Sequence, residues 1–152
     1  KNQITEGNKI IGLTEVTGPG ITITIADSDI DSTTVLNSSD LLIHDLDLLK
    51  VVNELKNAGA EAISINNQRI ILTTPIICGG NIININGEKI GSPFEIKAIG
   101  SPEALANLER PGGWLNILKN SGIKVSAIKK SNSITIPKYT GVLNFKYINN
   151  SK

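Results

Sequence analysis

The amino-acid sequence predicts an α+β domain in which helices cover one face of an antiparallel sheet. Isoleucine and threonine alternate strictly over residues 21–25, which is typical of a half-buried strand. Apolar residues at helical spacing over residues 48–55 predict an amphipathic helix. Isoleucine dominates the apolar runs and only 3% of the residues are aromatic, so we expect an aliphatic core rich in sheet.

The first 40 residues are expected to contain a tail, a hairpin and a loop. Residues 1–11 are polar and are interpreted as a tail or the end of an upstream stalk. The alternating segment that follows surrounds Gly18-Pro19-Gly20, which predicts a turn with a hairpin partner at residues 12–17. Residues 27–40 are rich in Asp, Ser, Thr and Asn, and this composition predicts a surface loop.

A helix is predicted over residues 46–58. Four apolar residues fall at i, i+3, i+4 and i+7 and therefore share one face. They are Leu48, Val51, Val52 and Leu55. We expect Asp45 or Asp47 to cap the first amide groups and Gly59 to end the helix in the left-handed conformation.

Three strands are predicted between residues 62 and 85. Residues 62–65 are mostly apolar and precede Asn66-Asn67, where the strand is expected to end. Two runs rich in isoleucine, at 70–78 and 81–85, are expected to pair with each other around Gly79-Gly80.

The second half of the chain predicts a turn, a strand and two helical pieces. Asn86-Gly87 is typical of a two-residue hairpin turn, and alternation predicts a strand over 94–99. Ser101-Pro102 has the order of an N-cap and a first-turn proline, so a helix is expected to begin there. Pro111-Gly112-Gly113 interrupts it, and a second piece is expected over about 114–120.

The last strands complete a recognisable order of elements. Residues 123–128 are expected to form a strand after Gly122, and residues 133–137 to pair back with it. Without the added hairpins the order is β-α-β-β-α-β, which predicts a ferredoxin-like plait with both helices on one face of the sheet. We expect a single domain of this kind over residues 12–148, followed by a C-terminal tail at 149–152.

The charge balance of the chain and the length of its apolar runs argue against a nucleic-acid partner and against a membrane span within this sequence. The 15 basic and 14 acidic residues give a net charge of +1 and form no basic block, so we expect no nucleic-acid partner. No run approaches the roughly 20 apolar residues of a membrane span. The chain begins at Lys1 and contains no methionine, so we expect a longer protein whose N-terminal segment carries any membrane anchor.

The densest group of polar residues surrounds the only histidine of the chain. It comprises Asp27, Asp29, Asp31, Asp40, His44, Asp45 and Asp47. The glycine and glutamate that a calcium loop requires at its sixth and twelfth positions are missing, so the group is interpreted as a solvated acidic loop. With one histidine and one cysteine, Cys78, a conventional zinc site is excluded within one chain, and we expect no metal and no cofactor.

Four residues are candidates for binding a ligand: Asp45, Asp47, Asn66 and Arg69. Arg69 is one of two arginines, and its planar donor fork suits an anionic ligand. The alternative interpretation is structural, with Arg69 tying a strand end to a carboxylate such as Asp45 or Asp47. The sequence predicts no catalytic residue.

Several spaced motifs resemble one bacterial family. They are Glu15–Ile21 (EVTGPGI), His44–Asp47 (HDLD), Val52–Leu55 (VNEL), Ala58–Asn66 (AGAEAISIN), Gln68-Arg69, Asn84–Gly87 (NING) and Pro93–Gly100 (PFEIKAIG). Over residues 12–137 the chain resembles the bacterial domain-of-unknown-function family 881. Ile77 departs from the family pattern, in which an arginine is expected before the position of Cys78.

The resemblance implies a location more than an activity. Members of the family are often labelled division initiation proteins, and they carry an N-terminal membrane helix and a short coiled-coil stalk before this domain. That arrangement implies a cell-membrane protein whose domain lies on the extracytoplasmic side. The family is associated with the ferredoxin-like plait, and it has no established catalytic residues to carry over.

The leading functional hypothesis is a non-enzymatic interaction or scaffold domain at the cell envelope. Its partners would be envelope proteins or further copies of the chain, because isoleucine-rich hairpins offer strand edges to a partner. A small-ligand sensor that uses Asp45, Asn66 and Arg69 is the alternative. A hydrolase with His44 as base and Asp45 or Asp47 as its orienting acid is the third hypothesis.

Overall fold

The computed structural model describes residues 12–29, 42–71, 74, 76–79 and 82–141. The predictions for residues 1–11, for the loop at 30–40 and for residues 142–152 lie outside this described part of the chain. The helices are α1 (Asp45–Asn57), α2 (Pro102–Ala106) and α3 (Trp114–Asn120), with a 3₁₀ turn at Asn107–Glu109. The strands are β1 (Val16–Ala26), β2 (Ala62–Ile65), β3 (Gln68–Ile70), β4 (Ile76–Gly79), β5 (Ile82–Ile85), β6 (Glu88–Gly91), β7 (Phe94–Ile99), β8 (Lys124–Val125) and β9 (Lys129–Ile136).

The strands form two antiparallel sheets. The main sheet has the order β3-β2-β7-β1-β8, and β9 pairs with β1. All of its strand pairs are antiparallel. Strands β4, β5 and β6 form a separate three-stranded sheet that is inserted in the chain between β3 and β7. The prediction of an α+β domain built on an antiparallel sheet is therefore confirmed.

Helix α1 agrees closely with its prediction. The four residues of the apolar stripe are all buried. Gly59 has a φ of 98°, and it follows the helix as the left-handed stop. Around it, the Ala60 N–H donates to the Leu55 carbonyl at 2.9 Å and the Gly59 N–H donates to the Lys56 carbonyl at 3.1 Å. These two bonds satisfy carbonyls that the end of the helix leaves without an intrahelical partner.

The largest apolar core lies between the helices and one face of the main sheet, called here the helical face. Ile21, Ile23 and Ile25 of β1 are fully buried in the same cluster as Leu48 of α1 and Leu105 of α2. The spacing of two residues in β1 places these isoleucines on one side, as the alternation predicts.

The other face of the main sheet, called the opposite face, has a smaller apolar cluster of its own. Ala62 of β2 and Ile99 of β7 are register partners there, and they pack with Ile134 and Ile136 of β9. Both faces of the sheet therefore contain buried apolar residues, but the helices cover only one of them.

The predicted turn at Gly18-Pro19-Gly20 and its hairpin partner at 12–17 are wrong, because β1 runs through this segment. Pro19 lies at a bulge, where the register between β1 and β9 shifts between Gly18 and Gly20. A Cβ atom at Gly20 would collide with the carbonyl oxygen of Ala98 on β7. The glycine therefore allows close approach of a neighbouring strand instead of a turn.

The predicted strand at 70–78 is divided between the two sheets. Asn66 and Asn67 have φ values of 47° and 67°, so the chain turns tightly there and β3 pairs at once with β2. Strand β3 ends at Ile70, and the second sheet begins at Ile76, where β4 pairs with β5 as predicted.

The predicted pairing of residues 133–137 with 123–128 is also wrong. Only Lys124–Val125 forms a strand in the latter segment, and both β8 and β9 pair with β1. Ser126 holds the chain on β1, since its N–H donates to the Thr24 carbonyl and its Oγ accepts the Thr24 N–H. The chain therefore continues along one strand edge and forms no hairpin.

Several other local predictions are confirmed. Asn86-Gly87 forms a tight turn with φ values of 55° and 84°, and β7 spans the predicted residues. Ser101 caps α2 through its Oγ, which accepts the Ala104 N–H at 3.3 Å. Helix α3 has the predicted bounds, and Gly122 follows it with a φ of 100°.

Candidate functional site

The single histidine and two of the candidate ligand residues meet at the first turn of α1. The backbone N–H of His44 donates to Asp47 Oδ2 at 2.9 Å, and His44 Nδ1 lies 3.7 Å from the same oxygen. Asp45 Oδ1 accepts the Leu46 N–H at 2.8 Å. Both carboxylates accept hydrogen bonds from backbone amides at the positive end of the helix dipole, which is the capping role that the sequence predicts.

Of the other aspartates of the acidic group, Asp27 and Asp29 are described, whereas Asp31 and Asp40 lie outside the described residues. Asp27, just after β1, accepts the Ile43 N–H at 2.9 Å, and its own N–H donates to Ser92 Oγ at 2.8 Å. Asp29 is exposed and forms an ion pair with Lys124. Within the described residues, no group of three His, Cys, Asp or Glu side chains is placed to hold a metal ion.

Asn66 fastens the end of β2 to the start of β7. Its N–H donates to the Glu95 carbonyl at 2.9 Å, and its Oδ1 accepts the Glu95 N–H at 2.6 Å. Its Nδ2 donates to the Pro93 carbonyl at 3.1 Å. The backbone of β7 therefore engages both ends of the side-chain amide.

Arg69 is a buried charged residue whose side chain is only 2% exposed. Its Nη1 donates to the carbonyls of Thr14 and Pro137 at 3.0 and 3.1 Å. Desolvation lowers the pKa of the Arg69 guanidinium below its ordinary value. Of the two interpretations of Arg69, these contacts support the structural one, because the guanidinium ties β3 to backbone carbonyls of two other segments.

The structure does not bring the four candidate ligand residues to one place. Arg69 and Ser64 are register partners on neighbouring strands, and Ile70 next to Arg69 belongs to the core of the helical face. Because side chains alternate along a strand, Arg69 projects from the opposite face. Asp45 and Asp47 lie on α1, across the sheet from Arg69. Ligand binding by these residues stays a prediction.

A cleft of about 300 Å³ lies beside the β3 edge of the main sheet. Its lining is mostly apolar, with Lys56 and Glu61 as its charged members. The residues that line it are Lys56, Ala60, Glu61, Ala62, Ile63, Ile70 and Ile71. None of the four candidate ligand residues belongs to this lining.

Sequence reasoning missed the exposed apolar residues of the helices. Leu46 and Leu49 of α1 are 55% and 36% exposed, and Ile117 of α3 is 42% exposed. The sequence does indicate the exposure of Leu46 and Leu49, because both fall outside the i, i+3, i+4, i+7 stripe that predicts the buried face of α1. Isolated exposed apolar residues are common, but two at i, i+3 form one surface on a helix.

The fold and these contacts define an α+β domain whose family is identifiable from comparison. Residues 3–149 match the family described as "Bacterial protein of unknown function (DUF881)". The chain belongs to this family.

Named relatives come from two bacterial groups. The chain is 35% identical over 124 residues to UPF0749 protein YlxW of Bacillus subtilis (strain 168), a match that covers 80% of this chain and 53% of YlxW. It is 37% identical over 122 residues to UPF0749 protein Rv1823 of Mycobacterium tuberculosis (strain H37Rv), covering 73% of this chain and 39% of the relative. The chain thus spans about half or less of the length of these relatives.

A solved structure shares the fold. The crystal structure of an uncharacterized conserved protein from Mycobacterium tuberculosis superimposes with a TM-score of 0.79 and 24% identity, covering 98% of this chain and 99% of that one. In the residues described here, no helix is long and apolar enough to cross a membrane.

Proposed function

We propose that this chain is a non-enzymatic interaction or scaffold domain of a membrane-anchored bacterial envelope protein. The observation that carries the proposal is the contrast between engaged polar groups and exposed apolar ones. Asp47, Asn66 and Arg69 are bonded to backbone groups of their own domain, whereas Leu46 and Leu49 project outward from α1. Such a surface suits contact with another macromolecule better than it suits chemistry on a small substrate.

Within this proposal the main sheet is a ferredoxin-like plait that carries an inserted sheet. Support comes from the strand order β2-β7-β1-β8, in which β1 leads through α1 to β2 and β7 leads through α2 and α3 to β8. Those crossovers and the all-antiparallel pairing are the arrangement that a β-α-β-β-α-β order favours. Strands β4, β5 and β6 are then an addition to the plait.

The β3 edge of the main sheet is not favoured as the interaction surface. The outer side of β3 is occupied, since the Arg69 carbonyl accepts the Asn86 Nδ2 at 2.9 Å and Thr74 Oγ1 accepts the Ile71 N–H at 2.7 Å. Side chains that occupy an edge in this way oppose pairing with another strand. The outer side of α1 is therefore favoured over the β3 edge.

The location and the link to cell division are the expectations that the family resemblance implies. Because YlxW is about twice as long as its matched region, the relatives have room for an anchor and a stalk outside this domain. We propose that the domain stands on such a stalk on the extracytoplasmic side of the cell membrane.

Photo-cross-linking in the native bacterium tests the proposal on the full-length protein. p-Benzoylphenylalanine would replace Leu46 in one variant and Ile117, an exposed apolar residue on another helix, in the matched control. We expect a discrete protein adduct from position 46 and none from position 117. Protease added to protoplasts should also digest the domain, because we place it outside the cytoplasm.

Two results would contradict the proposal. One is the absence of any protein adduct at position 46 while the full-length protein sediments as a monomer. The other is complete protection of the domain in protoplasts that become digestible only after lysis, which would place it inside the cell.

A further inference from the structure

The outer side of α1 combines apolar residues with an ordered pair of charges. Leu46, Leu49 and Asn53 fall at i, i+3 and i+7, on the side of the helix away from the buried stripe. Both leucines are exposed, and Asn53 is also exposed. The helix therefore carries a short apolar surface that the described part of the domain does not cover.

Asp45 and Lys56 lie on the same flank of this surface at opposite ends of the helix. With Leu49 they fall at i, i+4 and i+11, which places the three within an arc of about 40° on the helix. The acid is in the first turn and the base in the last turn, about 16 Å apart along the axis. One flank thus has a negative end, an apolar middle and a positive end.

We propose that two copies of this chain pair through the outer sides of their α1 helices, antiparallel about a two-fold axis. A two-fold axis perpendicular to the helices brings the same flank of both together with their directions reversed. Asp45 then faces the partner's Lys56, Lys56 faces the partner's Asp45, and the Leu49 side chains meet near the axis. The charges are complementary to themselves only in this orientation, since parallel pairing would set like charges side by side.

The other flank of α1 is compatible with this pairing. Lys50 would otherwise bring like charges together near the axis, but its Nζ lies 3.9 Å from the centre of the Trp114 ring. Glu54 on the same flank accepts the backbone N–H of Trp114 through its Oε2 at 2.9 Å. Both side chains are directed toward α3, so they leave the pairing surface to Leu46, Leu49 and Asn53.

The pairing rests on the proposed interaction function and names its partner as a second copy. Two leucines from each copy make a surface well below the size of a standard stable interface, so the dimer is weak and concentration-dependent. Two stalks held in one membrane would raise the local concentration of the domains and favour the paired form.

Charge-reversal variants test the pairing, with self-association measured by sedimentation equilibrium over a concentration series. We expect Asp45→Lys and Lys56→Asp each to weaken self-association about tenfold, because two attractive contacts become repulsive. An equal mixture of the two variants should associate as well as the wild-type chain, since Lys faces Asp at both ends of the mixed pair. Circular dichroism checks that α1 is intact in each variant.

Replacing an exposed apolar residue by serine gives a second test and its matched control. Leu49→Ser should abolish self-association, whereas Ile117→Ser, on α3, should leave it unchanged. A chain that is monomeric at every concentration, or single charge variants that mixing does not rescue, would overturn the pairing. A cross-link from position 46 to a different protein would then still support the broader interaction function, so the two proposals fail separately.

Discussion

Both faces of the main sheet contain buried residues, but different interactions hold them. On the helical face, Ile21, Ile23 and Ile25 contact leucines and valines from the helices. On the opposite face, Ser64 and Arg69 are buried, and Arg69 is held by the carbonyls of Thr14 and Pro137. Apolar burial accepts any neighbour of suitable size, whereas a buried charge requires particular donors and acceptors.

The opposite face also brings the two ends of the described fold together. Thr14 precedes β1 and Pro137 follows β9, and the Tyr139 N–H donates to the Gly12 carbonyl at 2.6 Å. Arg69 therefore joins the segment that enters the fold to the segment that leaves it. The helical face therefore supplies most of the apolar stabilisation, while the opposite face holds together the first and last segments of the described fold.

Removing an isoleucine from the helical face should have the largest effect. Ile23→Ala is expected to lower the free energy of unfolding by about 2–5 kcal/mol, because it leaves a cavity beneath the helices. Urea denaturation followed by circular dichroism measures the change. Thr22→Ala, one residue away and half-buried on the opposite face, is the control, and an equal loss there would contradict the assignment of the two faces.

Removing the buried charge should have a smaller and more local effect. Arg69→Met is expected to lower the free energy of unfolding by about 1.5–3 kcal/mol, because charged donors to two carbonyls are lost. Hydrogen exchange should accelerate at residues 12–14, 138 and 139 before it accelerates in β7. Arg110→Met, at an exposed arginine, should cost about 0–1 kcal/mol. Uniform acceleration across the main sheet would show that Arg69 supports the whole fold.

The smallest expected effect concerns the bond that joins the inserted sheet to β3. Asn86→Gly keeps the left-handed backbone and removes the donor to the Arg69 carbonyl, so we expect a loss of about 0.5–1.5 kcal/mol. Asn67→Gly is the matched control, because Asn67 is exposed and also has a positive φ. If thermal or urea denaturation gives both variants the same stability, the Asn86 bond contributes nothing measurable.

The elements that agree with prediction are those whose signals lie close together in the sequence. The stripe of α1, the stop at Gly59 and the cap of α2 at Ser101 each depend on residues within one or two turns of helix. The Asn86-Gly87 turn is equally local, because two residues with positive φ determine it. Physical rules of short range are sufficient for such features.

The features that the sequence did not predict are those in which a residue contacts a partner that is distant in sequence. Gly18-Pro19-Gly20 has a composition typical of a turn, yet Gly20 allows the backbone of β7 to approach closely. Strand β9 was expected to pair locally, yet it lies along β1, more than 100 positions earlier in the chain. The carbonyls of Thr14 and Pro137 that accept from Arg69 are 55 and 68 positions away, and no local pattern indicates them.

The sequence by itself determined which residues of α1 and β1 are buried, since the periods of helix and strand order apolar residues along the chain. It also determined most helix ends and the tight turn at Asn86-Gly87, because capping and positive φ are local properties. Only the tertiary structure decided which strands pair and which polar atoms satisfy Arg69, Asn66 and Asn86. Those choices depend on backbone groups that are distant in sequence and become neighbours only when the two sheets and the chain ends are assembled.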